Sequence, residues 1–228
     1  MPSDTTVVIT SCGRPDLLQQ TLDSFFRWNT YEIEKIVVVE DAGIPGIVDH
    51  LKLRYQQAPI CWIEHPTRMG QIRAIDDGYA QVTTDYIFHC EDDWEFYRGL
   101  FIEESKAILG LRSDILQVWI RELDDTNGHP IEPDIYQAGE VSYRLPEIDF
   151  RGFAHGFTFN PGLRRLANYR AIGSYGSHVV YNTANPQISE LLLGALYKAL
   201  GFRAAILMQG CCRHIGAGRR CVRFNAIT

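Results

Sequence analysis

Three consecutive carboxylates follow an apolar run in the segment Asp85–Phe96, which reads DYIFHCEDDWEF. The run Tyr86–Cys90 predicts a buried strand, so Glu91, Asp92 and Asp93 come at its carboxyl end. Mutual repulsion and desolvation raise the pKa values of such carboxylates unless a cation compensates them. Oxygen ligands of this kind suit Mg²⁺ or Mn²⁺, which commonly bridge to substrate phosphates. We interpret the triplet as a divalent-cation site, and the alternative is a solvated acidic turn.

The elements before this triplet alternate short β-branched runs with helical patterns, which predicts βαβ units and a mostly parallel sheet. Strands are predicted at 6–11, 35–40, 60–64 and 86–90, and helices at 16–27, 47–57 and 71–81. Open α/β sheets bind ligands at the carboxyl ends of their strands. We therefore expect function at 11–14, 40–41 and 91–93.

The regular alternation of strands and helices ends after a helix predicted at about 100–110. A strand is predicted at 116–123, and Asn127-Gly128 is a hairpin signal. The pairs Asn160-Pro161 and Asn185-Pro186 each predict a helix start, with a capping residue before proline. The second pair opens a helix over 186–200 that ends at Gly201. Its predicted apolar side consists of Ile188, Leu192, Ala195, Leu196 and Ala199. A last strand is predicted at 203–208.

The composition is that of a globular protein that can bury a sizeable core. Of its 228 residues, 46% are hydrophobic and 22% are charged, which excludes a disordered or coiled-coil chain. The net charge of −6 disfavours nucleic acid or an anionic membrane as a general partner. Only four of the 22 basic residues are lysine, so local arginine forks remain available to grip a small phosphate.

The cysteines and the N-terminus predict a cytoplasmic protein, free or peripheral to a membrane. No run approaches the roughly 20 apolar residues of a membrane span, and MPSDTTVVIT does not resemble a signal peptide. The cluster Cys211, Cys212, His214 and Cys221 lacks the paired C-x2-C spacing of structural zinc sites. Cys61 and Cys90 lie in apolar runs and are expected in the core, as free thiols.

Several segments, taken in order, resemble the nucleotide-sugar glycosyltransferases of the GT-A fold, especially family 2. These segments are TVVITSCGRPDLLQQTLDSF, IVVVEDAG, GQIRAIDDGYAQVTTDYIFHCEDDW, SELLLGALYKALGFRAAIL and HIGAGR. Glu-Asp-Asp stands where many relatives carry Asp-x-Asp. The resemblance implies one α/β domain over 1–228, with a Rossmann-like, mixed and mostly parallel sheet flanked by helices. Residues 1–110 would bind the nucleotide sugar, and residues 111–228, with the C-terminal tail, would bind the acceptor.

The resemblance also implies roles around the donor. Thr10, Ser11 and Arg14 correspond to part of the nucleotide-base pocket. Glu40, with Asp41 beside it, corresponds to the acidic residue that binds a uracil or ribose, and the alternative for Glu40 is a capping carboxylate. Arg73 would reach the base or the phosphates, unless it lies on a solvated helix face.

The same comparison assigns the metal and diphosphate groups. Asp93 would ligate the metal directly, Asp92 would face the ribose, and Glu91 would assist through water. His214 corresponds to the late histidine ligand of several GT-A enzymes, although a lone histidine can equally be ordinary polar structure. Two further residues, Arg219 and Arg220, would clamp the diphosphate or else be surface charges.

Glu190 is the predicted catalytic base, because Ser189-Glu190 occupies the position of a Glu-Asp pair in family 2 enzymes. A helix N-terminus would keep this carboxylate ionised, and the alternative is a purely capping acid. Aromatic and polar residues of the less similar region would shape the acceptor site: Trp94, Trp119, His155, Phe157 and Asn160.

The sequence thus predicts an inverting, Mn²⁺- or Mg²⁺-dependent glycosyltransferase that uses a UDP- or GDP-linked sugar. Its acceptor is left open: a glycan or a lipid-linked saccharide is one expectation, and a protein, a small metabolite or a modified nucleic-acid base are the alternatives. A sugar-phosphate nucleotidyltransferase is the second enzyme class, but TSCGRPDLL has a single glycine where such enzymes need a glycine-rich loop. A non-catalytic nucleotide-sugar-binding module is the third alternative. Dinucleotide and P-loop enzymes are disfavoured because their glycine motifs are absent.

Overall fold

The computed structural model describes residues 3–150, 156–179 and 186–219. The first half alternates strands and helices: β1 (Thr5–Ser11), α1 (Pro15–Trp28), β2 (Lys35–Glu40), α2 (Asp49–Arg54), β3 (Ile60–Glu64), α3 (Gln71–Ala80) and β4 (Tyr86–Glu91). The second half continues with β5 (Trp94–Phe96), α4 (Phe101–Leu111), β6 (Ile115–Trp119), β7 (Tyr136–Ala138), β8 (Val141–Arg144), β9 (Gly162–Arg165), α5 (Leu166–Ile172), α6 (Pro186–Ala199), β10 (Arg203–Leu207) and β11 (Cys212–His214).

Nine of these strands form one sheet in the order β3-β2-β1-β4-β9-β6-β10-β8-β7. Strands β1 to β4 pair in parallel, as do β6 and β10. Strand β9 lies antiparallel between β4 and β6, and β8 is antiparallel to both of its neighbours. The predicted α/β fold with a mixed, mostly parallel sheet is confirmed.

The central strands are buried on both faces, which is why they are continuous apolar runs. Val7, Val8 and Ile9 in β1 have no exposed surface. Helix α3 packs closely on this part of the sheet at Gly78, where an added Cβ would lie 2.6 Å from Val8 Cγ1. Any larger residue at position 78 would push α3 away from β1 and β2. The glycine therefore fixes the helix that borders the site.

Helices cover both faces of the sheet. One face carries α1, α2 and α4 around an aromatic cluster of Phe25, Phe88, Phe96 and Phe101, with ring centroids 5.0–6.1 Å apart. Such pairs contribute about 0.5–1.5 kcal/mol each beyond their buried area. The other face carries α3, α5 and α6. Among the helices of these ranges, none is both long and apolar enough to cross a bilayer.

Several predicted boundaries are corrected. The helix expected over 47–57 is only α2 (Asp49–Arg54), and the strand expected over 116–123 is β6 (Ile115–Trp119). Asn127 and Gly128 do form a tight turn, with φ of 54° and 76° and a bond from His129 N to Thr126 O, but no paired strands flank it. Pro161 leads into strand β9 and not into a helix.

Helix α6 is confirmed, but the apolar side named from the sequence is not the side that packs on the sheet. Ile188 and Leu192 are 45% and 50% exposed, whereas Ser189, Leu193 and Tyr197 are buried. The helix is apolar on most sides, so periodicity alone did not identify the packed face. Cys61 is likewise exposed and not in the core, while Cys90, Cys211 and Cys212 are buried free thiols.

Candidate active site

A cavity of about 220 Å³ opens at the carboxyl edge of β1, β2 and β4, beside the start of α3. It is smaller than the roughly 300–1,000 Å³ of pockets for whole drug-sized ligands, so it fits part of a ligand, such as a base. Six predicted residues line it: Thr10, Ser11, Arg14, Asp41, Glu91 and Asp92. Cys12, within the expected stretch 11–14, also lines it, and the lining residues that the sequence did not predict are Arg68, Gln71 and Ala74.

Glu40 does not line this cavity. It is 2% exposed, and its Oε1 accepts hydrogen bonds from Gly13 N at 2.8 Å and Ala42 N at 2.9 Å. Ser11 Oγ donates to its Oε2 at 2.6 Å. Glu40 therefore braces the turns that follow β1 and β2, which corresponds to the capping alternative. The predicted contact with a uracil or ribose has no support in this arrangement.

Asp41 holds the loop that precedes α3. Its two oxygens accept hydrogen bonds from Met69 N and Gly70 N, each at 2.7 Å. His65 Nδ1 lies 2.6 Å from Asp41 Oδ1, and His65 Nε2 lies 3.0 Å from Asp77 Oδ2. This loop carries Arg68 to the cavity. Its only sequence signal was a glycine just before a predicted helix.

The turn between β4 and β5 carries the acidic triplet and is fixed by α1. Thr21, buried in α1, donates from Oγ1 to Asp92 O at 2.8 Å and accepts from Trp94 N at 3.2 Å. Glu91 accepts a hydrogen bond from Gln71 Nε2 at 2.8 Å. Burial, and then the charges of Asp93, Glu190 and Asp92, hold the pKa of Glu91 well above its usual value.

Arg14 lies across Asp92 and Asp93 instead of reaching toward a base. Its Nη2 pairs with Asp92 Oδ1, and its Nη1 lies 2.8 Å from Asp93 Oδ2. Asp92 also accepts from Cys12 N at 3.3 Å. Burial nevertheless raises the pKa of Asp92 to about 6, although Arg14 and the Ser11 hydroxyl oppose the shift. Arg14 therefore supplies a positive charge where the sequence predicted a metal ion.

Asp93 and His214 face each other across the strand pair β5–β11, in which Trp94 pairs with His214. The distance from His214 Nε2 to Asp93 Oδ2 is 3.2 Å. Burial favours the neutral form of Asp93, but the His214 hydrogen bond and the Arg14 charge outweigh it and lower its pKa. The structure thus brings the two predicted metal ligands together and keeps Asp93 ionised.

These two side chains fit a divalent cation. Two neighbouring ligands of an octahedral ion at about 2.1 Å are separated by roughly 3 Å, close to the observed 3.2 Å. Within the described ranges, no group of three or more His, Cys, Asp or Glu residues could hold an ion. A metal here would therefore need oxygens from substrate phosphates and water, which is how Mg²⁺ is commonly bound.

The tail after β11 closes over Asp93. Ile215 N donates to Asp93 O at 2.8 Å, and a Cβ at Gly216 would lie 2.3 Å from Asp93 Oδ2. Further along, Arg219 Nη2 lies 3.0 Å from Asp16 Oδ1 in α1, and Arg219 O accepts from Arg14 Nη1 at 3.2 Å. Arg219 is thus engaged with Asp16. Arg220 lies outside the described residues.

Glu190 lies beside the acidic triplet. Strand β9 runs against β4, with Gly162 opposite His89, so the segment 158–160 lies at the carboxyl edge of the sheet. Glu190 Oε1 accepts from Phe159 N at 2.6 Å and from Thr158 Oγ1 at 2.9 Å. The first turn of α6 contains no acidic residue, so the predicted helix-terminus effect is wrong. Burial raises the pKa of Glu190, against the effect of these two donors.

Among the described residues, the remaining predicted side chains do not line the cavity. Arg73 Nε pairs with Asp77 at 2.8 Å on the outside of α3, which agrees with the solvated-face alternative. Trp94 is 2% exposed, between His214 and the Arg121 guanidinium at 5.3 Å each. Trp119 and Phe157 are also buried, and Asn160 is half-buried. His155 lies outside the described residues.

The mixed α/β sheet, with acidic residues and a cavity at its carboxyl edge, matches the fold of the GT-A class. The glycosyl transferase family 2 model matches residues 6–157, which is most of the chain. The protein belongs to glycosyl transferase family 2. No curated protein matches the sequence.

Solved structures share this fold at low sequence identity. The mannosyltransferase PcManGT from Pyrobaculum calidifontis, in complex with GDP-Man and Mn²⁺, has a TM-score of 0.64 and 14% identity over 97% of this chain and 59% of its own. TarS 1-349 from S. aureus, in complex with UDP-GlcNAc, has a TM-score of 0.62 and 11% identity over 96% and 62% of the two chains. GalNAc-T7 with UDP, GalNAc and Mn²⁺ has a TM-score of 0.61 and 12% identity over 92% and 43%. The chain thus spans about 60% of the first two relatives.

Proposed function

We propose that this protein transfers a sugar from a nucleoside-diphosphate sugar to an acceptor hydroxyl, with inversion and with Mn²⁺ or Mg²⁺ as cofactor. The observation that carries the proposal is the convergence of three features on one sheet edge: the cavity, the Asp93–His214 pair and Glu190. Membership of glycosyl transferase family 2 supports the same reaction class.

In this proposal the nucleoside occupies the cavity between Thr10, Asp41 and Gln71. Arg68 is exposed at its rim and offers a cation to the base or the phosphates. Asp92 and Glu91 form the wall nearest to the acidic turn and would face the ribose. Two structural relatives contain GDP-Man and UDP-GlcNAc, which makes UDP- and GDP-linked sugars the first donors to test.

Asp93 and His214 are the residues that would hold the metal. When bound, the ion would neutralise the negative charge that develops on the diphosphate leaving group. Arg14 lies against Asp93 Oδ2, the oxygen that also faces His214. A cation bound to that oxygen would displace the guanidinium toward a phosphate of the donor. Arg219 and Arg220 remain proposed diphosphate contacts, and Arg219 would first have to leave Asp16.

Glu190 acts as the base in this scheme. Its carboxylate accepts the proton of the acceptor hydroxyl, and the hydroxyl oxygen forms a bond to the anomeric carbon. The bond from that carbon to the diphosphate oxygen breaks, and the electron pair leaves with the nucleoside diphosphate. Attack from the face opposite the leaving group inverts the anomeric configuration. Residues 1–110 would serve the donor and residues 111–228 a glycan or lipid-linked saccharide acceptor.

The direct test is a thermal-shift panel of UDP- and GDP-linked sugars with and without Mn²⁺. A donor present at 100 times its Kd adds about 2.7 kcal/mol to the free energy of unfolding, so the true donor should raise the Tm by several degrees when Mn²⁺ is present. Transfer of the sugar from that donor to a glycan acceptor is then measured. Stabilisation by none of the panel would contradict the proposal, and stabilisation without any turnover would indicate a binding module.

A further inference from the structure

Arg164 is a buried cation on β9, on the face of the sheet covered by α3 and α6. The residue is 2% exposed, and its guanidinium lies 5.7 Å from the Phe157 ring. Its Nε and Nη1 have no hydrogen-bond partner in the described part of the chain. Burial of a guanidinium costs several kcal/mol, and the groups that interact with this one include the Tyr175 hydroxyl and the Glu190 carboxylate.

One hydrogen bond connects Arg164 to the segment that holds Glu190. Arg164 Nη2 donates to Thr158 O at 3.2 Å. The same threonine donates from Oγ1 to Glu190 Oε1 at 2.9 Å, and the next residue donates from Phe159 N to that oxygen at 2.6 Å. Arg164 therefore binds the carbonyl oxygen of Thr158, and the hydroxyl of the same threonine orients the carboxylate of Glu190.

Charged groups from three elements act on Glu190. Arg164 on β9 and Arg121 after β6 lower its pKa, whereas Glu91 at the end of β4 repels it when both carboxylates are ionised. Burial is the largest effect and raises the pKa. Arg121 pairs with Asp125 and is thus partly neutralised. Arg164 makes no ion pair within the described ranges, so its charge is the less compensated of the two.

We propose that Arg164 is a positioning residue for Glu190: it fixes the Thr158 segment that binds the carboxylate, and its buried charge keeps that carboxylate ionised. The inference rests on the proposed function only in naming Glu190 as the base. It identifies a residue that touches neither donor nor acceptor and yet sets the pH at which the base works.

The test follows the titration of Glu190 directly, by NMR of the full chain labelled with ¹³C at the glutamate carboxyl groups, without donor. Glu190→Gln assigns the signal. Arg164→Met should raise the titration midpoint by about one pH unit, because it removes an opposite charge that lowers the pKa of Glu190 and the hydrogen bond that holds the Thr158 segment. Arg164→Lys keeps the charge but loses the planar fork, so we expect a smaller upward shift. Thr158→Val should also raise the midpoint, with Arg164 intact.

Arg165→Lys is the matched control, since Arg165 is the next residue on β9 and donates to Ile115 O at 2.9 Å and Arg112 O at 3.1 Å instead. Its Glu190 midpoint should equal that of the wild type. An unchanged Glu190 titration midpoint in folded Arg164→Met overturns the inference. If that variant does not fold, unchanged midpoints in both Arg164→Lys and Thr158→Val overturn it instead. A shifted midpoint in a protein that transfers no sugar would refute the proposed function alone.

Discussion

Arg14 and Asp93 form a largely buried ion pair, with 2.8 Å between Nη1 and Oδ2. The same oxygen lies 3.2 Å from His214 Nε2, where the proposed metal would bind. A guanidinium and a divalent ion that share one carboxylate oxygen repel each other. Arg14 must therefore weaken metal binding in the absence of a diphosphate. Its charge becomes favourable once a phosphate lies between them.

Arg14→Gln should therefore bind Mn²⁺ more tightly without donor and bind the donor more weakly. We expect an increase in Mn²⁺ affinity on the order of tenfold, which corresponds to about 1.4 kcal/mol of relieved repulsion. The free Mn²⁺ signal in electron paramagnetic resonance measures it. Arg73→Gln is the control, because Arg73 pairs with Asp77 away from the cavity. Equal Mn²⁺ affinity in the wild type and Arg14→Gln would contradict this competition.

Gly216→Ala should open the tail over Asp93. The added Cβ would lie 2.3 Å from Asp93 Oδ2 and 2.8 Å from its Cβ, so the tail or the carboxylate must move. The expected results are a Mn²⁺ affinity lower by about tenfold and faster proteolysis after β11. Gly110→Ala is the same change in helix α4, where nothing lies within 4 Å, and should stabilise the fold by about 0.5–1 kcal/mol. Normal Mn²⁺ binding by Gly216→Ala would show that the tail does not shape the site.

The first half of the fold could be predicted because its signals are local. The strands β1 to β4 are apolar runs that end in polar residues, and the four predictions agree with the structure within one residue at each end. Parallel strands place those ends at one edge, so Ser11, Asp41 and Asp92 were correctly expected near one another. The orientation of each side chain was not predictable. Glu40 and Asp41 are adjacent, yet one braces two turns while the other lines the cavity.

The second half of the fold could not be predicted in the same way, because its arrangement depends on pairings between segments that are distant in sequence. Strand β9 has the sequence GLRR, which contains no apolar alternation, and it is stabilised by β4 on one side and β6 on the other. Burial of Arg164 runs against composition rules. The arginine environment of Glu190 thus became visible only in three dimensions, whereas Glu190 itself was predicted as the base from the resemblance of Ser189-Glu190 to a Glu-Asp pair of family 2 enzymes.

Asp41→Ala should release the loop that carries Arg68. Two backbone amides, Met69 N and Gly70 N, would lose their acceptor, at a cost of about 2–4 kcal/mol in the free energy of unfolding. Nucleotide affinity should fall by at least about tenfold, as measured by calorimetry with UDP and GDP. Asp77→Ala is the control, because Asp77 contacts the same His65 from its other nitrogen but neither amide. If folded Asp41→Ala binds UDP and GDP as tightly as the wild type does, the loop that carries Arg68 does not contribute to nucleotide binding.

Glu190→Gln should abolish sugar transfer, by a factor of about 10²–10⁴, while donor and Mn²⁺ binding persist. Burial raises the pKa of Glu190 above its usual 4.5, and only the ionised form accepts a proton. In the wild type, kcat/KM should therefore increase with pH through a midpoint above 4.5 and level off once the carboxylate is ionised. The free energy of unfolding should change in the opposite direction. The native state keeps the proton of Glu190 to higher pH than the unfolded chain does, so the contribution of Glu190 to that free energy declines as pH rises through the same range. Urea unfolding of the wild type and Glu190→Gln between pH 4 and 8 measures the second effect. A glutamine variant with full transfer activity, or a wild-type profile flat down to pH 4, would exclude Glu190 as the base.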